Sequence, residues 1–280
     1  MEELIGLLKS QAKISSDLLK KIEDYQKFKA EPIANAFKLE NLSGAIKKLG
    51  EELPESKTQT LLNKWLEEEL HQIARYKDDF RLNFSRDLKE LLVRQGRELK
   101  GQLPILRCGF WTIKTDFEIG QATIFWGPEI EKLKTRIILN PGEIAQSIED
   151  LDKDLKKKSI AGKDLLELVF RAYEHHLAVQ RLARGEKILL IELLNDLVFL
   201  IQPQEFKNDP RREKFKEYSR VNFSYDLFLL RKTNLDLSLH GLKLRLTVAT
   251  FDATLDKRRA LWIPDNESGE GTYYSYISFS

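Results

Sequence analysis

Residues 56–99 have the sequence SKTQTLLNKWLEEELHQIARYKDDFRLNFSRDLKELLVRQGREL, and this stretch decides the fold. Leucine, isoleucine and aromatic residues recur in it every three or four positions, which is the spacing of one face of an α-helix. Ser56 followed by Gln59 is typical of a capping box at a helix start. From Ser56 onward, no proline occurs until Pro104. The pattern predicts an unbroken helix of about 45 residues, on the order of 65 Å long.

The preceding residues repeat this helical pattern. Apolar residues recur at helical spacing between Leu4 and Tyr25 and again between Ile33 and Leu49, and Pro32 separates the two helices. A long amphipathic helix cannot bury its apolar stripe against itself, so it must fold back on its neighbours, pair with a second copy or dock on a partner. Both an intramolecular three-helix bundle and a coiled coil fit the pattern. Its irregular, aromatic-rich spacing favours globular or partner packing over a regular homodimeric zipper.

After residue 102, the spacing of the apolar residues changes from that of helices to that of strands. We therefore predict a helical, coiled-coil-like arm over residues 1–102 and an α+β domain over residues 103–280. Strands are expected at about 105–139 and 243–279, and helices at about 141–232. The two groups of strands are expected to share one antiparallel sheet, with the helices packed on one face.

Two helix starts are predicted within the α+β domain. Asn140 and Pro141 supply an N-cap and a first-turn proline, and Asp209-Pro210 is expected to begin a later helix. The apolar run at residues 187–201 predicts a buried central helix. Residues 218–230 alternate as a strand does and also fit a helix, so the sequence leaves their state open.

Composition limits the class of protein. The 46 basic residues nearly balance the 44 acidic ones, so a net charge of +2 provides no overall basic field that would attract nucleic acid or an anionic membrane. A single cysteine, Cys108, cannot form a disulfide framework and favours a reducing compartment. The first residues do not resemble a secretory signal, and the longest apolar run, Ile188 to Ile201, is too short to span a bilayer. We expect a cytoplasmic protein without membrane contact.

Motifs for catalysis or cofactor binding are missing from the sequence. It contains neither a G-x-S-x-G elbow, nor a P-loop, nor a G-x-G-x-x-G fingerprint, so we expect no cofactor and no catalytic site. The adjacent residues His175 and His176 point about 100° apart on a helix, which argues against a shared metal ion.

Two pairs of acidic residues are weaker candidates for chemistry. A metal-dependent nuclease could use Asp116 and Glu118, with Lys132 or Lys134 approaching them, although acidic residues are common in hairpin turns. Glu192 and Asp196, four residues apart in the most apolar helix, are either a buried acid pair or the polar edge of that helix.

A basic and aromatic cluster near the end of the chain suggests binding to nucleic acid. Cations beside aromatic rings can hold the phosphates and bases of a single strand. The candidate residues are Lys243, Arg245, Lys257, Arg258, Arg259 and Trp262. The alternative is a sheet whose aromatic residues form the core while its cations face water.

The leading functional hypothesis is a non-enzymatic adaptor or accessory subunit that assembles with a protein partner or with itself through residues 1–100. The predicted contact residues on the long helix are Trp65, Ile73, Tyr76, Phe80 and Phe84. The alternative is a nucleic-acid-binding component of a DNA- or RNA-processing or defence complex. In outline, a helical arm joined to an α+β body resembles accessory subunits of coiled-coil ATPases.

Overall fold

The computed structural model of the protein describes residues 1–54, 56–233 and 237–280, and it has the predicted α+β fold with a long helical region at the N-terminus. The chain divides into two compact units. Unit 1 contains Met1–Ile105, Lys114–Thr123 and Lys134–Ser147, and unit 2 contains Leu106–Ile113, Ile124–Leu133 and Ile148–Ser280.

Three helices form most of unit 1, and the remaining helices lie after the first group of strands. The helices are α1 (Glu2–Phe28), α2 (Ala36–Glu51), α3 (Lys57–Arg94), α4 (Pro141–Lys158), α5 (Gly162–Gln180), α6 (Leu190–Leu200), α7 (Gln204–Asn208), α8 (Arg220–Lys232) and α9 (Phe251–Thr254). A 3₁₀ turn covers Arg212–Lys214.

The strands are β1 (Lys100–Gln102), β2 (Ile105–Cys108), β3 (Trp111–Asp116), β4 (Gln121–Trp126), β5 (Glu131–Ile138), β6 (Ile188–Leu189), β7 (Ser238–Leu239), β8 (Leu242–Val248), β9 (Leu261–Pro264) and β10 (Gly271–Phe279). Most strands occur in the two predicted groups, and β6 lies between these groups in the region predicted to be helical.

The prediction that these strands share one sheet is wrong. Strands β1 to β5 form a five-stranded sheet in sequence order, because tight turns join each strand to the next and pair it locally. A second sheet has the order β6-β10-β8-β7, and β9 also pairs with β10. The antiparallel partners of β10 all come from the later part of the chain, between residues 188 and 264.

The three N-terminal helices share an apolar core within unit 1. Leu18 and Tyr25 of α1 pack with Leu39 and Ile46 of α2 and with side chains of α3 that include Ile73. These side chains are at most 7% exposed. This arrangement is the intramolecular three-helix bundle that the sequence left as one alternative.

Helix α3 begins where its sequence predicts. The Ser56 hydroxyl accepts a hydrogen bond from the Gln59 amide. The Gln59 side chain does not complete a capping box, because it donates to the carbonyl groups of Gly50 and Leu53 at the end of α2. Helix α3 has 38 residues and ends at Arg94, somewhat before the predicted boundary.

The two predicted helix starts of the later region have different outcomes. The Asn140 side chain caps α4 by accepting a hydrogen bond from the Glu143 amide at 3.1 Å. Asp209 does not begin a long helix; its carboxylate pairs with Arg211 at 2.9 Å and with Lys214 at 2.7 Å. That helix, α8, begins at Arg220 behind a capping box formed by Ser219 and Asn222, so most of residues 218–230 are helical.

The predicted central helix also starts later than expected. Ile188 and Leu189 belong to strand β6, and helix α6 then covers Leu190–Leu200. The inner face of the second sheet packs on α5, where the Phe279 ring meets the rings of Phe170 and Tyr173. Among the described residues, none of the helices combines the length and apolar character that crossing a membrane requires.

Candidate interaction surface

The first half of α1 is a helix whose side chains are exposed to solvent. We call residues 1–13 the α1 tip. Every side chain described in it is exposed, including Leu4 at 57%, Ile5 at 45%, Leu7 at 59% and Leu8 at 56%. Single exposed apolar residues are common on protein surfaces, but four within five positions form a patch of the kind that marks an interaction site.

The tip is exposed because α1 is longer than the helix that packs beside it. Helix α1 has 27 residues and α2 has 16, so α1 exceeds α2 by about 16 Å at ~1.5 Å per residue. Among the described side chains of α1, Leu18 is the first that is buried. A short helix without packing partners is marginal in water, so the tip gains stability if a partner covers its apolar side.

A groove continues from the tip along α1. Its volume is about 380 Å³, and the residues that line it are Gln11, Ser15, Leu18, Leu19, Ile22, Leu53, Pro54, Ser56 and Thr58. Gln11, Ser15, Leu18 and Ile22 follow the spacing of a single helix face. The same spacing continues backwards to Leu8 and Leu4, so the exposed leucines and the groove belong to one continuous stripe of α1.

Sequence reasoning found only part of this surface. It identified the stripe of Leu4 and Leu8 but did not include Ile5 and Leu7. These two residues lie on either side of the stripe. Leu19 follows Ile5 after fourteen residues, and Ile14 follows Leu7 after seven, so each flank has a second apolar residue further along the helix. Apolar residues on both flanks make the face wide, which is typical of a helix with more than one neighbour.

Helix α1 is held to α3 by a buried polar contact below the tip. The Tyr25 hydroxyl donates to Glu69 Oε2 at 2.6 Å, and Lys29 also pairs with the Glu69 carboxylate. Burial and the negative charge of Glu69 raise the pKa of Tyr25 well above its usual range. The phenol therefore stays protonated and donates to the carboxylate, which ties α1 to α3.

The predicted contact residues of α3 lie mainly in the interior of unit 1. Ile73, Phe80 and Phe84 are at most 2% exposed, so a partner cannot reach them in this conformation. Trp65 and Tyr76 are half-buried. The reason is that α2 and the β3–β4 turn also pack on α3; the Phe80 ring, for example, contacts the rings of Phe37 and Phe117.

The predicted basic cluster is only partly available for binding. Lys257 pairs with Glu131 at 3.0 Å, and Arg258 pairs with Asp256 at 3.1 Å. Trp262 is 2% exposed and packs edge-on against the buried ring of Trp126, so it cannot stack on a base. Arg259 is exposed.

The outer face of the second sheet contains the remaining candidates. Lys243 and Arg245 of β8 are exposed. Arg245 lies opposite Ser278 of β10, and Thr247 lies opposite Tyr276. Because alternate residues of a strand share a face, Lys243, Arg245 and the 38% exposed ring of Tyr276 lie on the same side of the sheet.

The acidic candidate at the first hairpin has a local structural role. The Asp116 carboxylate accepts hydrogen bonds from the backbone amides of Glu118 and Ile119, at 3.0 and 3.2 Å. This is the usual geometry of an aspartate that closes a turn.

The histidines meet the acidic side chains of α6. His176 Nδ1 lies 2.7 Å from Asp196, and His175 Nδ1 lies 3.3 Å from the other carboxylate oxygen of the same residue. Glu192 approaches His176 Nε2 at 3.6 Å, and its side chain is 52% exposed. The acids thus form a polar contact between α5 and α6. Within residues 1–54, 56–233 and 237–280, no group of three His, Cys, Asp or Glu side chains is placed to hold a metal ion.

Comparisons of the chain with family models, with curated protein sequences and with solved structures found no match.

Proposed function

We propose that this protein is a non-enzymatic adaptor or accessory subunit that assembles with protein through the helical arm. The observation that carries the proposal is the α1 tip, a regular helix with four exposed apolar side chains, two of them on a stripe that becomes buried at Leu18. The proposal places the contact on α1, in contrast to the α3 residues that the sequence suggested.

The buried core supports this assignment of the contact to α1. The other apolar stripes of the three helices meet one another inside unit 1. The stripe of α1 is covered only from Leu18 onward, and the groove beside it is lined by five apolar and four polar residues. A partner helix that lies along α1 would cover both the tip and the groove, which is a common mode of helix recognition.

The test is assembly of the full chain with and without the tip surface. A tagged protein is recovered from its source cells, and its complexes are compared with those of the Leu4→Asp, Leu8→Asp double variant. Aspartate is favourable at Leu4, in the first turn of α1, and both substitutions remove exposed apolar surface without altering the buried core.

The matched control replaces two exposed apolar residues of α3, Leu82 at 84% and Val93 at 56%, by aspartate. We expect complexes with the native and control proteins and at least a tenfold loss with the tip variant. A native chain that is monomeric and retains no partner would contradict the proposal.

The second candidate function is binding of single-stranded nucleic acid by the outer face of the second sheet. It is favoured by the position of Lys243, Arg245 and Tyr276 on one side of adjacent strands. Replacing Lys243 and Arg245 by glutamate should abolish salt-sensitive binding of a labelled oligonucleotide. The same change at Lys257, which is already paired with Glu131, should have a smaller effect. Binding that does not depend on Lys243 and Arg245 would exclude this face.

A further inference from the structure

We propose that a cavity within unit 2 binds a small organic amine, with the apolar part of the ligand inside the cavity and its ammonium group at the mouth. The cavity has a volume of about 230 Å³ and lies between α4, the first turn of α8 and strands β3 and β5. All of its lining residues belong to unit 2. The inference is therefore independent of the proposed function, which concerns the α1 tip in unit 1.

The inner part of the cavity is apolar. Its apolar lining residues are Trp111, Leu133, Leu151, Leu155 and Val221. Trp111, Leu155 and Val221 are buried, so they line the part of the cavity that is farthest from solvent. The volume corresponds to about eight water molecules at ~30 Å³ each. This space suits a single ring with a short chain, whereas larger ligands such as nucleotides need a larger pocket.

A buried polar group is available to a ligand in this apolar space. Asn222 lines the cavity and is 7% exposed. Its Oδ1 accepts hydrogen bonds from the amide and the hydroxyl of Ser219, at 3.2 and 2.7 Å, in the cap of α8. Its Nδ2 is therefore the polar atom left to face the cavity, and it donates to no acceptor in the part of the chain that the structure describes. A hydroxyl or carbonyl oxygen at the inner end of a ligand would satisfy this donor, and a buried donor without an acceptor is unfavourable.

The mouth of the cavity favours a cation. Its charged lining residues are Asp154, Lys158 and Glu217. Lys158 pairs with Asp154 at 3.0 Å, so these two charges offset each other. Glu217 is exposed, and its carboxylate has no ion-pair partner within residues 1–54, 56–233 and 237–280. An ammonium group would pair with Glu217, whereas a carboxylate or phosphate would be repelled.

Buried contacts hold the walls of the cavity in place. Trp111 Nε1 donates to Asp152 at 2.8 Å, which ties β3 to α4. Ser159, just after α4, and Tyr218, just before α8, both donate to the buried carboxylate of Asp226. Each of these two residues is next to a charged residue of the mouth, so one carboxylate holds both sides of the opening. A cavity with fixed walls needs little ordering when a ligand binds, which favours affinity.

The first experiment titrates the purified full chain with tyramine, which has an ammonium group at one end of a ring and a hydroxyl at the other. Binding is measured by calorimetry and by the NMR resonance of the Asn222 side-chain amide, which is assigned by its absence in Asn222→Asp. We expect saturable binding that shifts this resonance. Phenethylamine lacks the hydroxyl and should shift it less. The carboxylate analogue, para-hydroxyphenylpropionate, should bind at least about tenfold more weakly.

A charge variant tests the mouth of the cavity. Glu217→Gln should weaken tyramine binding about two- to fivefold, because ion pairs of exposed groups are weak. The matched control is Glu213→Gln, which removes a nearby exposed carboxylate that does not line the cavity and should leave the affinity unchanged. Equal effects of the two variants would overturn the placement of the ammonium group.

A larger side chain tests the cavity itself. Leu151 is half-buried, and Leu151→Trp would fill much of the space and should abolish binding. The control is Leu82→Trp, at a residue of α3 that is 84% exposed, and it should bind tyramine as the native protein does. Circular dichroism shows whether each variant is folded. If Leu151→Trp does not fold, the comparison of the Glu217 and Glu213 variants decides the outcome.

Three results would overturn the inference. The first is the absence of saturable binding of tyramine and phenethylamine at millimolar concentrations. The second is binding of the carboxylate analogue with an affinity equal to that of tyramine. The third is binding that persists in a folded Leu151→Trp variant, because the amine would then occupy a different site.

Discussion

At the residue scale, unit 2 contains a carboxylate that is buried and needs hydrogen-bond donors. Asp226 is 1% exposed and accepts hydrogen bonds from the hydroxyl groups of Ser159 and Tyr218 and from the amide of Ile160. Burial raises the pKa of Asp226, and the three hydrogen bonds oppose this shift without cancelling it. The carboxylate joins α8 to the segment between α4 and α5.

The raised pKa of Asp226 predicts how stability depends on pH. The native state takes up a proton on Asp226 at a higher pH than the unfolded chain, whose aspartates titrate near about 3.9. Between these two values, the native state binds more protons, so this residue adds stability as the pH falls and removes it as the pH rises. The slope is at most about 1.4 kcal/mol per pH unit.

The measurement compares urea unfolding of the native protein and Asp226→Asn at several pH values below 7. Since asparagine does not titrate, the free energy of unfolding of the native protein should rise relative to the variant as the pH is lowered. A difference that stays constant, or that falls on acidification, would contradict the raised pKa.

A glycine shows how one residue can determine local packing. Gly120, in the turn between β3 and β4, has φ +64°, and a Cβ there would lie 2.0 Å from the ring of Phe37. The ring of a fully buried phenylalanine has little room to move, so the turn needs glycine both for its backbone conformation and for its contact with α2.

At the element scale, α1 has two halves with different roles. From Leu18 onward it is part of the bundle, and before Ile14 it has no buried side chain among those described. The half in the bundle must hold the helix firmly if the tip is to be presented in a fixed direction. The contact of Tyr25 and Lys29 with Glu69 supplies a polar anchor.

Removing the Tyr25 hydroxyl should weaken this anchor. Tyr25→Phe leaves the buried Glu69 carboxylate with one donor fewer, and we expect a loss of about 1–3 kcal/mol in the free energy of unfolding. Tyr76→Phe is the matched control, since the Tyr76 hydroxyl bonds to Gln72 on the exposed surface of the same helix. Its cost should be within about 0.5 kcal/mol. Urea unfolding of both variants gives the comparison, and equal losses would show that the Glu69 contact adds no specific stability.

At the scale of the whole molecule, charge does not prevent self-association. A net charge of +2 on 280 residues gives little long-range repulsion between copies. The local arrangement of apolar and charged residues on the surface therefore decides whether the protein associates with a partner. The tip presents exposed apolar residues, whereas the pairs around Lys257 and Arg258 neutralise much of the charge of the predicted basic cluster.

Several elements were predictable because their causes are local. The Asn140 cap, the break at Pro32 and the alternation in β8 each depend on neighbouring residues, and each prediction is confirmed. The start at Asp209 was wrong: its carboxylate pairs with Arg211 and Lys214 instead of capping a helix, a choice that neighbouring residue types alone do not reveal. The single sheet was wrong because strand alternation contains no information about which strands pair.

The sequence alone determined the α+β class, the three amphipathic helices and the absence of familiar catalytic motifs. The reason is that periodicity and local motifs depend only on residues that are close together in the chain. The tertiary structure alone decided which apolar stripe remains open. Ile73, Phe80 and Phe84 have the same amphipathic pattern as Leu4 and Leu8, and they differ only in having neighbours that cover them. Burial depends on contacts between residues far apart in the chain, and periodicity cannot specify those contacts.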